Sequence, residues 1–311
     1  MGNKITIRNR VAYAGRGLSR LASEWWPGPV GGLRRRALFH GTCLPLIQGE
    51  AELPARATGS PGDPLAATAP RPPWSFYETI GWGMIAFIVT SVAEPIAVAS
   101  LIAWHEWTRP GATGLHPMIP EAVSTSLSAV VSAATWVGVT SIAARWRHWR
   151  FADYMALIPP RRGELIFAVA ALAVVIIATD LSSYALGRPL IPQVMIDAHN
   201  SAQTPAAVVL MLVGVVVVGP IGEEIAFRGF LFRGLSLTRF RVPGAIVLTS
   251  AVWALMHGQY DGFVMVQIFA TGLLFGWLRW RTGSTLLTII LHMLANLTAC
   301  VQTAMKVEWM S

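Results

Sequence analysis

The sequence predicts an all-α membrane protein, a polytopic bundle of about seven transmembrane helices behind a disordered basic N-terminal arm. Of its 311 residues, 54% are hydrophobic and only 13% are charged, whereas about a quarter of a typical soluble domain is charged. Mean hydropathy is +0.52. Apolar stretches long enough to cross the hydrocarbon core as helices recur along the chain. These observations argue against soluble, disulfide-rich secreted and fully disordered proteins.

The arm comprises residues 1–75, which carry ten Lys and Arg, four Asp and Glu, and nine of the 20 prolines. This composition is typical of a flexible segment that lies near anionic lipid. Because most of the net charge of +8 lies in the arm, outside the apolar body, we predict no nucleic-acid partner. Cys43 lies in the arm and Cys300 in an apolar stretch, so neither a disulfide framework nor a cysteine-based metal site is indicated.

Seven apolar stretches follow the arm, and several end in tryptophans that suit the membrane interface. We predict a helical bundle over 76–303, with a catalytic core at about 200–300, and a short tail over 304–311. The fifth and sixth stretches are short. The seven stretches are 79–104, 122–144, 164–187, 206–235, 243–259, 262–279 and 284–302.

The distribution of basic residues predicts a cytoplasmic N-terminus and an external C-terminus in a cell or inner membrane. With a cytoplasmic arm, the inner side receives eleven arginines and the outer side three basic residues. The inner arginines are Arg145, Arg147, Arg150, Arg161, Arg162, Arg228, Arg233, Arg239, Arg241, Arg279 and Arg281. The outer basic residues are Arg109, Arg188 and Lys306.

The fourth apolar stretch contains two adjacent carboxylates, Glu223 and Glu224. A charge at mid-bilayer costs about 2.5–3.5 kcal/mol on insertion scales, so such a residue needs a partner or a function. Glu224 and Arg228 are four residues apart and can pair on one helix face. Glu223 then has no local cation, and an unpaired carboxyl in a dry site can serve as a general base or acid. Alternatively, both glutamates mark the cytoplasmic end of the span.

Two histidines lie in later apolar stretches. His257 ends the fifth stretch, and His292 shares a helix face with Asn296 in the seventh. An imidazole and a carboxamide on one face suit a metal, or a water and a developing oxyanion. A single histidine is better explained by an interhelical hydrogen bond, but two histidines and two glutamates on three helices favour a site. Two other intramembrane acids, Glu94 and Asp180, are interpreted as structural.

Depth along straight helices tests whether these groups can meet. At about 1.5 Å per residue, His292 lies about 14 Å and His257 about 21 Å from the inner surface. Glu223 reaches about 15–18 Å only if the fourth helix continues to about 233–235. We therefore predict a long fourth helix, a buried Glu224–Arg228 pair, a kink near Pro220, and a loop 258–262 drawn into the bundle.

Three short motifs, in this order on separate spans, resemble the CAAX protease and bacteriocin-processing family, also called CPBP or Abi. The first motif is E-E-x-x-x-R, and its extended form E-E-x-x-F-R-G is matched from Glu223 to Gly229. The second, F-x-x-x-H, is matched at His257, but Trp253 replaces the phenylalanine. The third, H-x-x-x-N/D, is matched at His292 and Asn296. The resemblance covers roughly residues 200–300.

The resemblance implies an intramembrane endopeptidase with an all-helical fold. It implies that Glu223 activates the attacking water, that His257 helps to hold this water, and that Glu224 and Arg228 position the first motif. His292 and Asn296 would stabilise the oxyanion. A metal version remains open, in which Glu223, His257 and His292 bind a divalent ion such as zinc. We favour glutamate catalysis.

The implied partners are the lipid bilayer and a membrane-associated protein or peptide substrate. The substrate could be a lipid-modified carboxyl-terminal tail, a leader peptide or a membrane-anchored sorting segment. The main alternative is a non-catalytic membrane protein, such as an immunity factor or a scaffold. A small-solute transporter is the third alternative, but the sequence lacks the repeated halves that transporters show.

Overall fold

The computed structural model describes residues 74–108 and 120–310 of the chain, so residues 1–73 of the predicted arm lie outside the described residues. Its elements in chain order are α1 (Phe76–Thr108), α2 (Glu121–Trp146), α3 (Phe151–Tyr154), α4 (Arg162–Ala185), α5 (Gln193–Ser201), α6 (Pro205–Ser236), α7 (Arg241–Leu255), α8 (Gly262–Thr282) and α9 (Thr285–Met310). The described residues contain no strand. The all-α class is therefore confirmed.

Within the described residues, six helices are long and apolar enough to cross a membrane, namely α1, α2, α4, α6, α8 and α9. The fifth predicted stretch becomes the shorter apolar helix α7, which has 15 residues and a length of about 22 Å. Many large apolar side chains on the long helices are exposed, as expected of surfaces that face lipid. The protein is an integral membrane protein. Helix α9 continues through 304–310, the segment that the sequence assigned to a short tail.

Local sequence signals define several helix ends. The Thr204 side chain accepts the Ala207 backbone N–H ahead of α6, and Pro205 occupies the first helical turn. The Asp261 carboxylate accepts the Val264 N–H in the same way at the start of α8. Helix α8 ends at Gly283, whose positive φ of 69° suits a residue without a Cβ.

The long helix α6 runs from Pro205 to Ser236, as the depth argument predicted. It contains two π-helical segments, Val213–Val218 and Ile225–Leu231, on either side of an α-helical turn at Gly219–Glu224. The helix does not end at Pro220. It continues through this proline, where its hydrogen bonding changes from the π-helical to the α-helical pattern. The acidic pair thus lies between two π segments, which are frequent at functional sites.

Helix α6 lies close to α2 because small residues line the contact. A Cβ added to Gly214 would lie 2.9 Å from the Ser126 Cα, and one added to Gly222 would lie 2.6 Å from the Ala133 Cα. Such close backbone approach is the usual way in which membrane helices associate. It fixes the acidic turn of α6 against the middle of α2.

The segment between α2 and α4 lies at one end of the bundle, where α9 begins. The Thr285 hydroxyl donates to the Met155 carbonyl at 2.6 Å, and the Thr285 N–H donates to the Ala156 carbonyl at 3.0 Å. The Arg233 guanidinium donates to the carbonyls of Asp153 and Tyr154, each at 2.7 Å. These bonds hold the lower ends of α6 and α9 to one loop, so the two helices that carry most of the candidate site are fixed relative to each other.

Candidate active site

The predicted pair of Glu224 and Arg228 is completely buried in the bundle. Arg228 Nη1 donates to Glu224 Oε1 at 2.8 Å, and Arg228 Nη2 lies 3.4 Å from the Gly272 carbonyl oxygen. The guanidinium carbon lies 4.5 Å from the ring centroid of Trp253 and 5.5 Å from that of Phe275. A charge pair that is buried between aromatic faces is costly to break, because the remaining partner stays in the interior without compensation.

His292 joins this pair from α9. Its Nδ1 lies 3.0 Å from Glu224 Oε1, the same oxygen that accepts from Arg228. Because an ionised carboxylate can only accept, Nδ1 carries the proton. Nε2 is then an acceptor in the neutral ring and a donor in the imidazolium. His292 is 4% exposed and lines a large cavity.

Glu223 lines the same cavity and is held by an indole. Trp253 Nε1 donates to Glu223 Oε2 at 2.5 Å. The other carboxylate oxygen, Oε1, lies 3.9 Å from the position that a Cβ of Gly219 would occupy. The absence of a side chain at Gly219 leaves room beside this oxygen. One face of Glu223 is therefore fixed by Trp253, while the residue as a whole is only half-buried.

His257 follows the C-terminal end of α7. Its Nδ1 lies 2.8 Å from the Trp253 carbonyl oxygen, which can only accept, so Nδ1 carries the proton and Nε2 of the neutral ring keeps a lone pair. Tyr260 stacks on the imidazole at 6.3 Å between centroids, and both residues line the cavity. Of the loop 258–262 that was predicted to enter the bundle, Tyr260 alone is half-buried; the other four residues are exposed.

Asn296 is bound to a carbonyl that α6 leaves free. Its Nδ2 donates to the Val215 carbonyl at 2.8 Å. In the first π segment the Gly219 N–H donates to the Gly214 carbonyl, five residues earlier. The next donor in that pattern would be Pro220, which has no N–H, so the Val215 carbonyl needs another partner. The second amide proton of Asn296 remains for the cavity that this residue also lines.

Trp253 is the residue around which the site is arranged. Its indole bonds Glu223 and lies edge-on to both histidines, with centroid distances of 5.2 Å to His257 and 5.3 Å to His292. The sequence marked Trp253 only as a departure from the family pattern. The signal that could have identified it is the indole N–H, a donor that phenylalanine lacks, one helical turn before His257.

Four of the predicted site residues, Glu223, His257, His292 and Asn296, line one cavity of about 1620 Å³, whereas Glu224 and Arg228 are not among its lining residues. Among the described residues, no three His, Cys, Asp or Glu side chains are grouped so that they could hold a metal ion. The predicted ligands Glu223, His257 and His292 each spend one side-chain atom on a protein hydrogen bond. Both histidines keep Nε2, and histidines that bind a metal usually donate their other ring N–H to such a partner, so these bonds fit either version.

The two acids interpreted as structural differ in their surroundings. Asp180 accepts from the Gln302 amide at 2.9 Å and so joins α4 to α9, as a structural role requires. Glu94 instead lines the large cavity, where it lies beside the Ser132 hydroxyl. A purely structural interpretation of Glu94 therefore leaves its position at the cavity unexplained.

Comparison with known proteins agrees with this location of the site. Residues 205–298 match the family model described as type II CAAX prenyl endopeptidase Rce1-like. This range contains every predicted site residue from Glu223 to Asn296.

A protein of Escherichia coli, described as an uncharacterized 24.3 kDa protein, is 32% identical over 134 residues. This match covers 41% of the present chain and 59% of the length of the relative. No solved structure matches the chain. The resemblance that the three motifs predicted is confirmed, since residues 205–298 match the Rce1-like family of CAAX endopeptidases.

Proposed function

We propose that the protein is an intramembrane endopeptidase in which Glu223 activates a water molecule. The observation that carries this proposal is the position of Glu223, whose carboxylate is oriented by Trp253 and lines the cavity that His257, His292 and Asn296 also line. The match to the Rce1-like family over this region supports the reaction class.

In the reaction, Glu223 takes a proton from the water while the water oxygen attacks the carbonyl carbon of the peptide bond. The carbonyl π electrons move to the oxygen, which becomes an oxyanion. Collapse of this intermediate breaks the C–N bond, and the proton on Glu223 passes to the leaving amine. The water, the Glu223 carboxyl and the leaving amine thus account for every proton and bond, and no further reactant is needed.

Both histidines donate Nδ1–H to an acceptor, so the role proposed for each depends on its Nε2 atom. His257 donates Nδ1–H to a carbonyl, so its Nε2 can accept a hydrogen bond from the attacking water and hold it while Glu223 takes the other proton. His292 donates Nδ1–H to Glu224, and Nε2–H of its protonated ring would donate to the oxyanion. The free amide proton of Asn296 is a second donor to the oxyanion. Arg228 orients Glu224 and has no contact with substrate in this scheme.

The first prediction is that Glu223→Gln abolishes cleavage while folded protein is retained. Glutamine keeps the size and the hydrogen-bond acceptor for Trp253 but cannot take a proton at neutral pH. The full-length protein would be reconstituted into lipid vesicles with quenched fluorogenic peptides of three kinds: prenylated carboxyl-terminal tails, leader peptides and membrane-anchored segments. Products would be identified by mass spectrometry.

Asp180→Asn is the matched control, since it neutralises another intramembrane acid whose only described partner is an amide; it should retain cleavage. Cleavage should also survive a strong chelator, because no three described His, Cys, Asp or Glu side chains are grouped to hold a metal ion. Loss of cleavage with the chelator would favour the zinc version. Cleavage by Glu223→Gln at the wild-type rate would contradict the assignment. Absence of any cleavage by the wild type across the peptides would favour the non-catalytic alternative.

A further inference from the structure

One wall of the large cavity is lined by hydroxyl groups. Ser124, Thr125, Ser128 and Ser132 of α2 all line it together with the candidate catalytic residues. Their spacing of three and four residues places them on one face of the helix. Hydroxyls both donate and accept hydrogen bonds, as the main chain of an extended peptide requires.

Glu94 of α1 lies beside this wall at the level of Glu223. Its carboxyl is next to the hydroxyl of Ser132, the residue before Ala133. The Ala133 Cα lies only 2.6 Å from the position of a Cβ on Gly222, the residue before Glu223. The residue of α2 next to Glu94, Ser132, is therefore directly followed by the residue that contacts the acidic turn of α6.

The surroundings of Glu94 offer no structural reason for an acid. It lies about 27 Å along α1 from Phe76 and about 21 Å from Thr108, near the middle of a membrane-spanning helix. Carboxylates at this depth are costly and usually functional. Among the described residues no Lys or Arg forms an ion pair with it.

The cavity as a whole favours a positive guest. The described residues that line it include three carboxylates, Glu94, Glu121 and Glu223, and neither Lys nor Arg. Its only basic side chains are histidines, two of which, His257 and His292, belong to the candidate active site. A Lys or Arg side chain entering this space would meet acids with no competing Lys or Arg, whereas a peptide carboxylate would meet no Lys or Arg partner.

We propose that Glu94 is a specificity-determining residue that binds a Lys or Arg side chain of the peptide substrate next to the cleaved bond. The hydroxyl face of α2 aligns the main chain of the same peptide between Glu94 and Glu223. The position of the cleaved bond rests on the proposed function, but the preference for a cationic peptide rests on the cavity alone.

Peptide binding to full-length protein that carries Glu223→Gln tests this proposal, because bound peptide is not consumed. The probes are short acylated, fluorescein-labelled peptides with amidated C-termini, which differ only by a central lysine or norleucine. In lipid nanodiscs, fluorescence anisotropy should show about tenfold tighter binding of the lysine peptide, as a charge-assisted hydrogen bond implies. Adding Glu94→Gln should reduce the ratio of the two affinities to about one.

Glu106→Gln is the matched control, since it removes the same charge from an exposed position of α1 that does not line the cavity. It should leave the affinity ratio at about ten. Equal binding of the two peptides would overturn the proposal. It would also be overturned by an affinity ratio that stays at about ten after Glu94→Gln, or by a ratio that falls as much in Glu106→Gln as in Glu94→Gln. Failure of the proposed function would be visible separately, as wild-type protein that binds the peptides but does not cleave them.

Discussion

At the scale of single residues, the site depends on how each polar atom is bound. Glu223 and Glu224 are neighbours in sequence, yet only Glu224 is held by two cationic or ionisable partners, Arg228 and His292. Glu223 receives one neutral donor, the Trp253 indole. This difference explains why one carboxylate can serve as a structural anion while the other remains available for proton transfer.

Replacing the indole with the aromatic ring of the family pattern should weaken this arrangement. We predict that Trp253→Phe lowers kcat about tenfold and changes KM less than about twofold, because it removes one hydrogen bond to Glu223 and keeps most of the packing. Steady-state kinetics on the best peptide substrate would measure both values.

Trp277→Phe serves as the control, since Trp277 packs on Phe167 outside the cavity and should leave kcat unchanged. An unchanged kcat in Trp253→Phe, or a change in KM alone, would show that the indole does not orient Glu223. A decrease in kcat of equal size in both variants would show that the loss of any indole has this effect.

At the scale of helices, the sequence predicted much of the fold and about half of the site's geometry. Periodic apolar stretches gave the membrane helices, and the depth argument gave the length of α6 and the Glu224–Arg228 pair. The two π segments were not predicted, because they depend on how α6 packs against α2 and α9 and not on residue type alone. The Asn296–Val215 bond follows from that packing.

The contact between Glu94 and the cavity was also not predictable from sequence. Whether a carboxylate within an apolar stretch faces a partner, lipid or a cavity depends on the rotation of its helix against its neighbours. In α1, Glu94 faces the hydroxyl side of α2, whereas nearby Val92 and Ile96 are exposed. Only the packing of the helices shows whether a carboxylate such as Glu94 faces a partner, lipid or a cavity.

The close contact between α6 and α2 gives a prediction about stability. Gly222→Ala places a Cβ 2.6 Å from the Ala133 Cα, and because that neighbour is backbone, the two helices must separate. We expect a loss of about 1–3 kcal/mol in unfolding free energy, measured by denaturant titration in detergent. Gly138→Ala on α2 is the control, since a Cβ there meets nothing within 4 Å and should preserve stability. Equal stabilities for the two variants would contradict the proposed tight contact.

At the scale of the whole molecule, the contacts between loops agree with the division into two membrane sides. Arg188 Nη1 lies 2.6 Å from Asp261 Oδ2, which joins two loops that the sequence assigns to the outer side. The Val264 backbone N–H, with Arg188 adding to its effect, holds the pKa of Asp261 below its usual value. On the other side, Arg147 pairs with Glu78 at the start of α1. These contacts support the division, while the arginines predict which side is cytoplasmic.

The positive-inside argument survives the finding that two of its arginines are buried. Arg228 and Arg279 lie in the interior of the bundle and do not act as loop charges. The predicted inner side still holds nine of the eleven arginines against three basic residues outside. We therefore predict an inner position for the loop at Arg161 and an outer position for the loop at Arg188.

Single cysteines at these two loops, Arg161→Cys and Arg188→Cys, would test the prediction in a protein whose native cysteines are replaced by serine. In intact cells or spheroplasts a membrane-impermeant maleimide should label position 188 at once and position 161 only after permeabilisation. The opposite pattern would reverse the topology. The result would also show which side of the membrane the cavity-lining residues Pro189, Leu190 and Pro192 face.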